Sequence, residues 1–476
     1  MSSTAIRRAR REGGANPARS SRASWGAAAQ RPAARRAPTP PNPLVPRLAL
    51  VAALGGFAWV VALGLTSLPP AEVAARGGEA LLAGTATGLV GTYLAMLMVL
   101  LASRLPAMER AVGFDRLLRW HRLLAPWPIL LLVAHAVLVT VGEAQAAKSG
   151  FGAAVRSVVL DYPDVLAATV GLAIMVVIGV VSVRAIRRRL RRETWWALHL
   201  YLYLALALSF AHAVVLGPNF VGHPVTQAVW AAVWAATAGV VLVSRFGLPL
   251  ARSLRHQLRV VEVHEEAPDV TSVVLRGRRL DRLPVAGGQV VLWRFLARGL
   301  WWQAHPYTLS ALPRPPYLRI TVRAVGDHSA AVARLRPGTP VVFEGPYGAF
   351  TAEHRRRPRV LLVAGGIGVT AVRSLLEDLP PGSEPVVLLR ARRAEDLALA
   401  DEVESLAARA GGRVHRLVGP RDRVRLDRGA LLRLVPDLGQ RDVYVSGPPS
   451  LVAELRRTCR RLGVPGASFH GEAYAL

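Results

Sequence analysis

The sequence predicts a multi-domain membrane protein: a six-helix transmembrane bundle, then a small antiparallel β-barrel, then an α/β domain with a parallel sheet. Three observations predict it. Six apolar runs of about 20 residues lie between positions 48 and 247, each long enough to cross a hydrocarbon core of about 30 Å. Between 256 and 352 come short β-rich runs separated by turns, RVVEVHEE, VTSVVLRG, QVVLWRF, YLRITVRAV and PVVFEG, the spacing of a small barrel. From 357 to 476 strand, glycine turn and helix recur, as in RVLLVAGGIGVTAVRSLLEDL, the pattern of a parallel sheet with nucleotide-binding potential.

Residues 1–46, rich in Arg, Ala, Pro and Ser, bury too little apolar surface to offset ordering entropy and are expected to be a disordered basic tail. The apolar run that follows is long enough to be retained as an anchor. The membrane domain is then expected over 47–250, with spans near 48–68, 79–102, 121–142, 163–185, 195–216 and 225–247. The tail, the loop SRLPAMERAVGFDRLLRW and the run RAIRRRLRRE all carry arginine; by the positive-inside rule they face the cytoplasm, as do both termini. This is the expected topology of a multi-pass protein of the cell membrane.

The chain has 476 residues, 52% of them hydrophobic, and a formal charge of +29 that comes almost wholly from arginine. No nucleic-acid module accompanies that charge, so an anionic membrane face and phosphate-bearing ligands are the expected partners and nucleic acid is not. The single cysteine, Cys459, excludes a disulfide within one chain and a cysteine-ligated cluster.

Four histidines stand inside apolar runs: His121 and His135 in the third, His199 and His212 in the fifth. A histidine within a span is costly unless it is paired, wetted or bound to something. The members of each pair are 14 and 13 residues apart, roughly 20 Å along a helix at 1.5 Å per residue. Both spans run the same way, so His121 matches His199 in depth and His135 matches His212. Two levels of facing imidazoles suit two stacked bis-histidine haems; histidines that only bond between helices are the plainer reading, and they leave the matched depths unexplained. Fourteen residues return to within about 40° of one face, but thirteen reach about 220°. The fifth span therefore has to over- or under-wind, and Pro126 and Pro128 should bend the third.

In the β-rich region HPYTLS, 305–310, joins a proline-fixed extended turn to hydroxyls that can bond a flavin edge and its phosphate oxygens. Arg323 of VRAVGDHS is a candidate for the cofactor pyrophosphate, and Gly345 and Gly348 of GPYG let backbone approach a ligand. LLVAGGIGVT sets Gly365, Gly366 and Gly368 at a helix start, where free amides attract phosphate. It is not the simple GxGxxG fingerprint. After the next strand, Arg390, Arg392 and Arg393 of RARR could hold an adenosine 2′-phosphate, which leans the choice toward NADPH while leaving NADH open.

In combination, the histidine pairs, HPYTLS, VGDHS, GPYG, GGIGVT, SGPPS and the ending FHGEAYAL resemble the NADPH oxidase and ferric reductase family over about 48–476. That resemblance implies a membrane domain binding two haems b, an FAD-binding barrel over 256–352 and an NAD(P)H-binding domain over 357–476. By it His305, Pro306, Tyr307, Thr308 and Ser310 belong to the flavin site, with Arg323 near the phosphates. Gly366, Gly368, Val369 and Thr370 would hold the nucleotide pyrophosphate; Ser446, Gly447 and Pro448 would sit by the nicotinamide. Phe469, Glu472 and Tyr474 match the family's terminal pattern, Tyr474 stacking on the flavin until nicotinamide displaces it. Ser446 stands where the family often has cysteine, which puts the tuning of hydride transfer in question. Calcium-binding loops and a flavodoxin-like module are not seen in the sequence.

The implied activity carries electrons from NADPH through FAD and haem to a small acceptor outside, dioxygen or a ferric chelate. Two other classes stay open. One is a module that hands electrons to a membrane or extracytoplasmic redox partner, or to quinone. The other is a membrane-anchored flavin reductase without haem.

Overall fold

The computed structural model describes residue 42 and residues 44–474 apart from 191. The expected tail lies almost wholly outside the described residues, and the chain is already helical from Leu44. Two compact units divide at Phe246 and Gly247.

In the first unit six helices are long and apolar enough to cross a membrane: Leu44–Leu65, Gly78–Ala102, Arg116–Ala147, Val165–Ser182, Thr194–Leu216, and one that starts at Pro224. Small residues let them approach. A Cβ on Gly84 or Gly91 of the second span would press on Val139 or Leu132 of the third, so these glycines are what allow the two helices to lie close. Tyr93 donates its hydroxyl proton to the Ala53 carbonyl at 2.8 Å, joining the second span to the first. Trp230 is wholly buried and stacks on Phe220, filling the bundle interior.

Both expected irregularities occur. The third span breaks at Ala125, between the helices Phe114–Leu124 and Pro126–Ala147, because Pro126 has no amide proton to continue the ladder. The fifth breaks at Ser209, between Arg192–Leu208 and Phe210–Leu216. There the Ser209 amide and hydroxyl both donate to the Leu206 carbonyl, a tighter i→i−3 turn that adds rotation. Of the two senses open to thirteen residues, the turn at Ser209 is the over-wound one.

The second unit opens with the helix Leu248–His256 and a six-stranded antiparallel sheet. Its strands are β1 (Leu258–Ala267), β2 (Val270–Arg276), β3 (Val290–Phe295), β4 (His305–Thr308), β5 (Tyr317–Arg323) and β6 (Pro340–Tyr347), in the order β4-β3-β6-β1-β2-β5. The barrel is not closed. Among the described residues an isolated bridge, Leu309 with Ile320, joins the two ends. β4 is short and contains Pro306, which confines it to an edge. Trp293 secures it by donating its indole proton to the Tyr307 carbonyl at 3.0 Å, and Trp293, Phe295 and Phe343 form the core beneath.

A five-stranded parallel sheet follows, ordered β11-β10-β7-β8-β9. These are β7 (Arg359–Gly365), β8 (Val386–Ala391), β9 (Arg413–Val418), β10 (Arg441–Gly447) and β11 (Phe469–Ala473). The helix after β7 packs with Leu362 and Ala364, whereas the helix after β10 packs with Leu361 and Val363. Alternate residues face opposite sides of a strand, so the helices cover opposite faces. The chain order reverses between β7 and β10, where open α/β sheets leave a crevice at the carboxyl ends of their strands.

Candidate cofactor sites

In the membrane unit the four histidines meet in pairs. The rings of His121 and His199 have centroids 6.3 Å apart, and those of His135 and His212 also 6.3 Å. A metal bound by one nitrogen of each ring, at about 2 Å per bond, sets facing imidazole centroids roughly 6 Å apart. Ring orientation agrees: His121 Nδ1 lies 3.0 Å from the Met98 carbonyl and His135 Nδ1 lies 2.8 Å from the Gly84 carbonyl. A carbonyl can only accept, so each Nδ1 carries the proton and each Nε2 keeps a lone pair. The residues fit two haems on this test. The fifth-span partners differ, since Nδ1 of His199 and of His212 is buried with no well-formed hydrogen bond among the described residues. His199 instead stacks on Trp195 at 4.8 Å, with the Arg187 guanidinium 4.2 Å from that indole ring centre.

On the antiparallel sheet, β4 holds His305, Pro306, Tyr307 and Thr308 in one short run. His305 stacks on His328 with centroids 3.3 Å apart, and the Tyr307 hydroxyl lies 3.4 Å from His328 Nδ1. Burial, then the neighbouring His305, lowers His328 to about 4, so it is neutral at physiological pH. Burial likewise pushes the Tyr307 phenol up, keeping it protonated. Gly345 and Gly348 have φ of +114° and +99°, values that favour glycine, and the Gly345 carbonyl accepts from Arg252.

At the carboxyl ends of the parallel strands the backbone crowds. A Cβ on Gly368 would collide with the Ser446 carbonyl, and one on Gly447 would reach the Gly365 Cα at 3.4 Å; the GGIG turn and the SGPP turn therefore touch through glycine. β11 pairs Glu472 with Ser446, which delivers Tyr474 to the same place. Its hydroxyl accepts from the Gly368 amide at 2.7 Å and donates to the Gly365 carbonyl. Arg323 lines a cleft with Gly366, Ile367 and Asp396.

Residues 87–210 match the family described as ferric reductase like transmembrane component. Curated relatives include a flavohemoprotein of Bacillus subtilis, 24% identical over 45% of this chain and 58% of that protein. Another is the toluate 1,2-dioxygenase electron transfer component of Pseudomonas putida, 25% identical over 46% of this chain and 68% of that protein. The chain thus spans about three-fifths of the length of the relatives it matches. It has the architecture of the NADPH oxidase and ferric reductase family. That is an NAD(P)H-dependent oxidoreductase architecture, a ferric-reductase-like membrane component joined to a module that binds FAD and NAD(P)H. Among solved structures, the FAD/NAD-binding domain of nitric oxide dioxygenase from Vibrio cholerae aligns with 98% of its length, at 23% identity and a TM-score of 0.38.

Within this reductase module several side chains stand apart from the expected contacts. Ser310 is wholly buried and its hydroxyl accepts from Arg319 Nε at 3.1 Å, so it holds an arginine rather than lining an open cleft. Val369 packs in the hydrophobic core and Thr370 donates to the Ile367 carbonyl at 3.0 Å; their side chains fix the helix start. Arg390 donates to the carbonyls of Ala391, Leu417 and Gly419, and Arg393 pairs with Glu395 and Asp396. Arg392, the remaining arginine of RARR, is exposed. Pro448 caps the helix Pro449–Arg461 beside the crowded turn. Sequence reasoning passed over His328, although VGDHS contains it, and over Trp195, four residues before His199 and so one helical turn away.

Proposed function

We propose that the protein moves electrons from cytoplasmic NADPH through FAD and two bis-histidine haems to an acceptor beyond the membrane, dioxygen yielding superoxide or a ferric chelate. The observation that carries this reading is the pair of imidazole couples at equal separation, in the component matched to ferric reductases. When bound, the flavin supplies the exchange between two-electron and one-electron chemistry and the haems supply one-electron steps.

The chain's own residues bind and orient. His121 and His199 would hold the inner iron, and His135 and His212 the outer one. The inner assignment follows from the arginine-rich segments around 104–122 and 184–189, which the positive-inside rule sets in the cytoplasm. Tyr307 and His328 would border the flavin on one side, with Arg323 toward its phosphates. The amides of the Gly366–Gly368 turn, at the start of the helix Val369–Asp378, would take the nucleotide pyrophosphate. Tyr474 now satisfies that turn with its hydroxyl, so it must move for the nucleotide to enter. Arg392 would select the 2′-phosphate.

The test is a reduced-minus-oxidised absorption spectrum of the purified chain with NADPH or NADH as reductant, and superoxide and ferrous iron measured as products. Haem bands reduced by NADPH with turnover of one acceptor are expected. Absence of haem bands would leave only a membrane-anchored flavin reductase. Reduced haem without acceptor turnover would point to a separate redox partner.

A further inference from the structure

We infer that the second span positions the iron-binding histidines of the third, and that Gly88 sets where His135 stands. This rests on the two-haem reading above. The third-span ligands are 14 residues apart, and the carbonyls that receive their Nδ1 protons, those of Met98 and Gly84, are also 14 apart, running in the opposite direction along the chain. The two helices pack antiparallel, and one repeat registers both ligands against the same neighbour. Each hydrogen bond fixes the tautomer and the rotation of its ring, the usual task of groups behind a metal ligand.

Gly88 lies one turn from Gly84 on the same helix. A Cβ there would stand 2.6 Å from His135 Nδ1 and 2.9 Å from its Cε1. The obstruction is a ring already tied to the Gly84 carbonyl at 2.8 Å, so any side chain at 88 has to turn or displace the imidazole. At the inner level the residue one turn beyond Met98 is Ala102, which carries a Cβ. The glycine therefore belongs to the outer level alone. On the fifth span Nδ1 of His212 has no well-formed hydrogen bond to a neighbouring span among the described residues; the backbone group it faces is that of Ser209, at the break in its own span. His135 is thus the anchored ligand of the outer pair and His212 the adjustable one.

The experiment uses the full-length chain purified with its cofactors, and reads haem content, low-spin EPR signals and redox titrations. Gly88→Ala should shift the signal and midpoint potential of one haem, or lose that haem, with the other unchanged. Gly91→Ala is the control: its Cβ would press at 3.0 Å on Leu132 in the same helix interface, and its nearest neighbours are leucine atoms rather than a histidine ring, so both haems should stay as in the wild type. Gly88→Ala spectra equal to wild type, or equal to those of Gly91→Ala, would overturn the inference. A second pair keeps it testable if Gly88→Ala does not insert. His212→Ala should keep an outer haem with a new high-spin signal, whereas His135→Ala should lose it; equal behaviour of the two counts against it. A wild-type chain with no haem would instead defeat the two-haem reading.

Discussion

The two units offer opposite solutions to holding a cofactor. The membrane unit offers side chains, four imidazoles aligned by helix geometry. Its helical backbone has no amides to spare, because in hydrocarbon every backbone group must be satisfied within the helix. The reductase unit offers backbone: glycine turns at strand ends, where amides are free to meet phosphate. Side chains there mostly brace the turns, as Thr370 does at Ile367 and Arg390 does at the ends of β8 and β9. A site made of side chains is exposed to single substitutions, and a site made of backbone is exposed to whatever competes for its amides.

The largest expected effect breaks one side of that comparison cleanly. His135→Ala should remove the outer haem and reduce acceptor turnover to background, at least about a hundredfold, since His135 is the ring that faces His212 among the described residues. Reduction of bound FAD by NADPH should persist at its wild-type rate in the same sample. Stopped-flow absorbance at flavin and haem wavelengths separates the two. Loss of flavin reduction as well would show that the units do not hold their cofactors independently.

Arg392→Ala should produce the next effect. A charge-assisted contact to a 2′-phosphate contributes roughly 1.5–3 kcal/mol, so kcat/KM for NADPH should fall about tenfold or more while that for NADH stays level. Arg390→Ala should show no such discrimination, because its guanidinium is occupied by three carbonyls. An equal loss for both nucleotides in Arg392→Ala would remove this arginine from the selection.

The difference between side-chain and backbone sites also decides what could be read from sequence. The histidine pairs were legible because helix periodicity converts spacing directly into depth and direction; counting residues called for an irregular fifth span and the prolines for a bent third, but neither the sense of the winding nor its place at Ser209 followed from the sequence. The glycine turns were legible as turns. Which neighbouring side chains face the ligand was not, because that depends on contacts between distant segments: Ser310 is claimed by Arg319, and Arg390 by β9. β4 and β11 were hard to see for a related reason. They are short and owe their existence to pairing with β3 and β10 rather than to their own composition. The open barrel edge has the same origin, since the ends meet through the isolated bridge at Leu309 rather than through a ladder.

Tyr474→Phe sharpens the backbone side of the comparison. The phenol accepts from the Gly368 amide, a donor the nucleotide pyrophosphate would need, and donates to the Gly365 carbonyl. Removing the hydroxyl costs the closed turn both hydrogen bonds, at about 1 kcal/mol or more in all, and spares the entering nucleotide that cost, so KM should fall roughly fivefold or more. The aromatic ring is kept, so any stacking on flavin is unaffected. A raised KM would mean that the hydroxyl assists the nucleotide rather than competing with it.

The smallest effect concerns what joins the two sheets of the reductase unit. Arg319, on β5, reaches Glu402 of the helix Ala400–Arg409 at 2.7 and 2.8 Å, and Arg373 meets the same carboxylate at 2.9 Å. Burial alone would raise Glu402, but the two arginines outweigh it and hold the carboxyl at about 2, against an ordinary value of 4.5. A depressed folded-state value means stability that is fully present above about 4.5 and is lost as pH falls toward 2. Glu402→Gln cannot titrate, so in denaturant unfolding of the full chain its deficit against wild type should be largest above pH 4.5 and shrink as the wild-type carboxylate is protonated. Glu377, which burial alone would raise but Arg373 and Arg314 hold low, shares Arg373 with Glu402, so Glu377→Gln measured alongside separates its titration from that of Glu402. A deficit that stayed constant down to the acid end would show that shape and packing at this junction, rather than its charge, hold the sheets together.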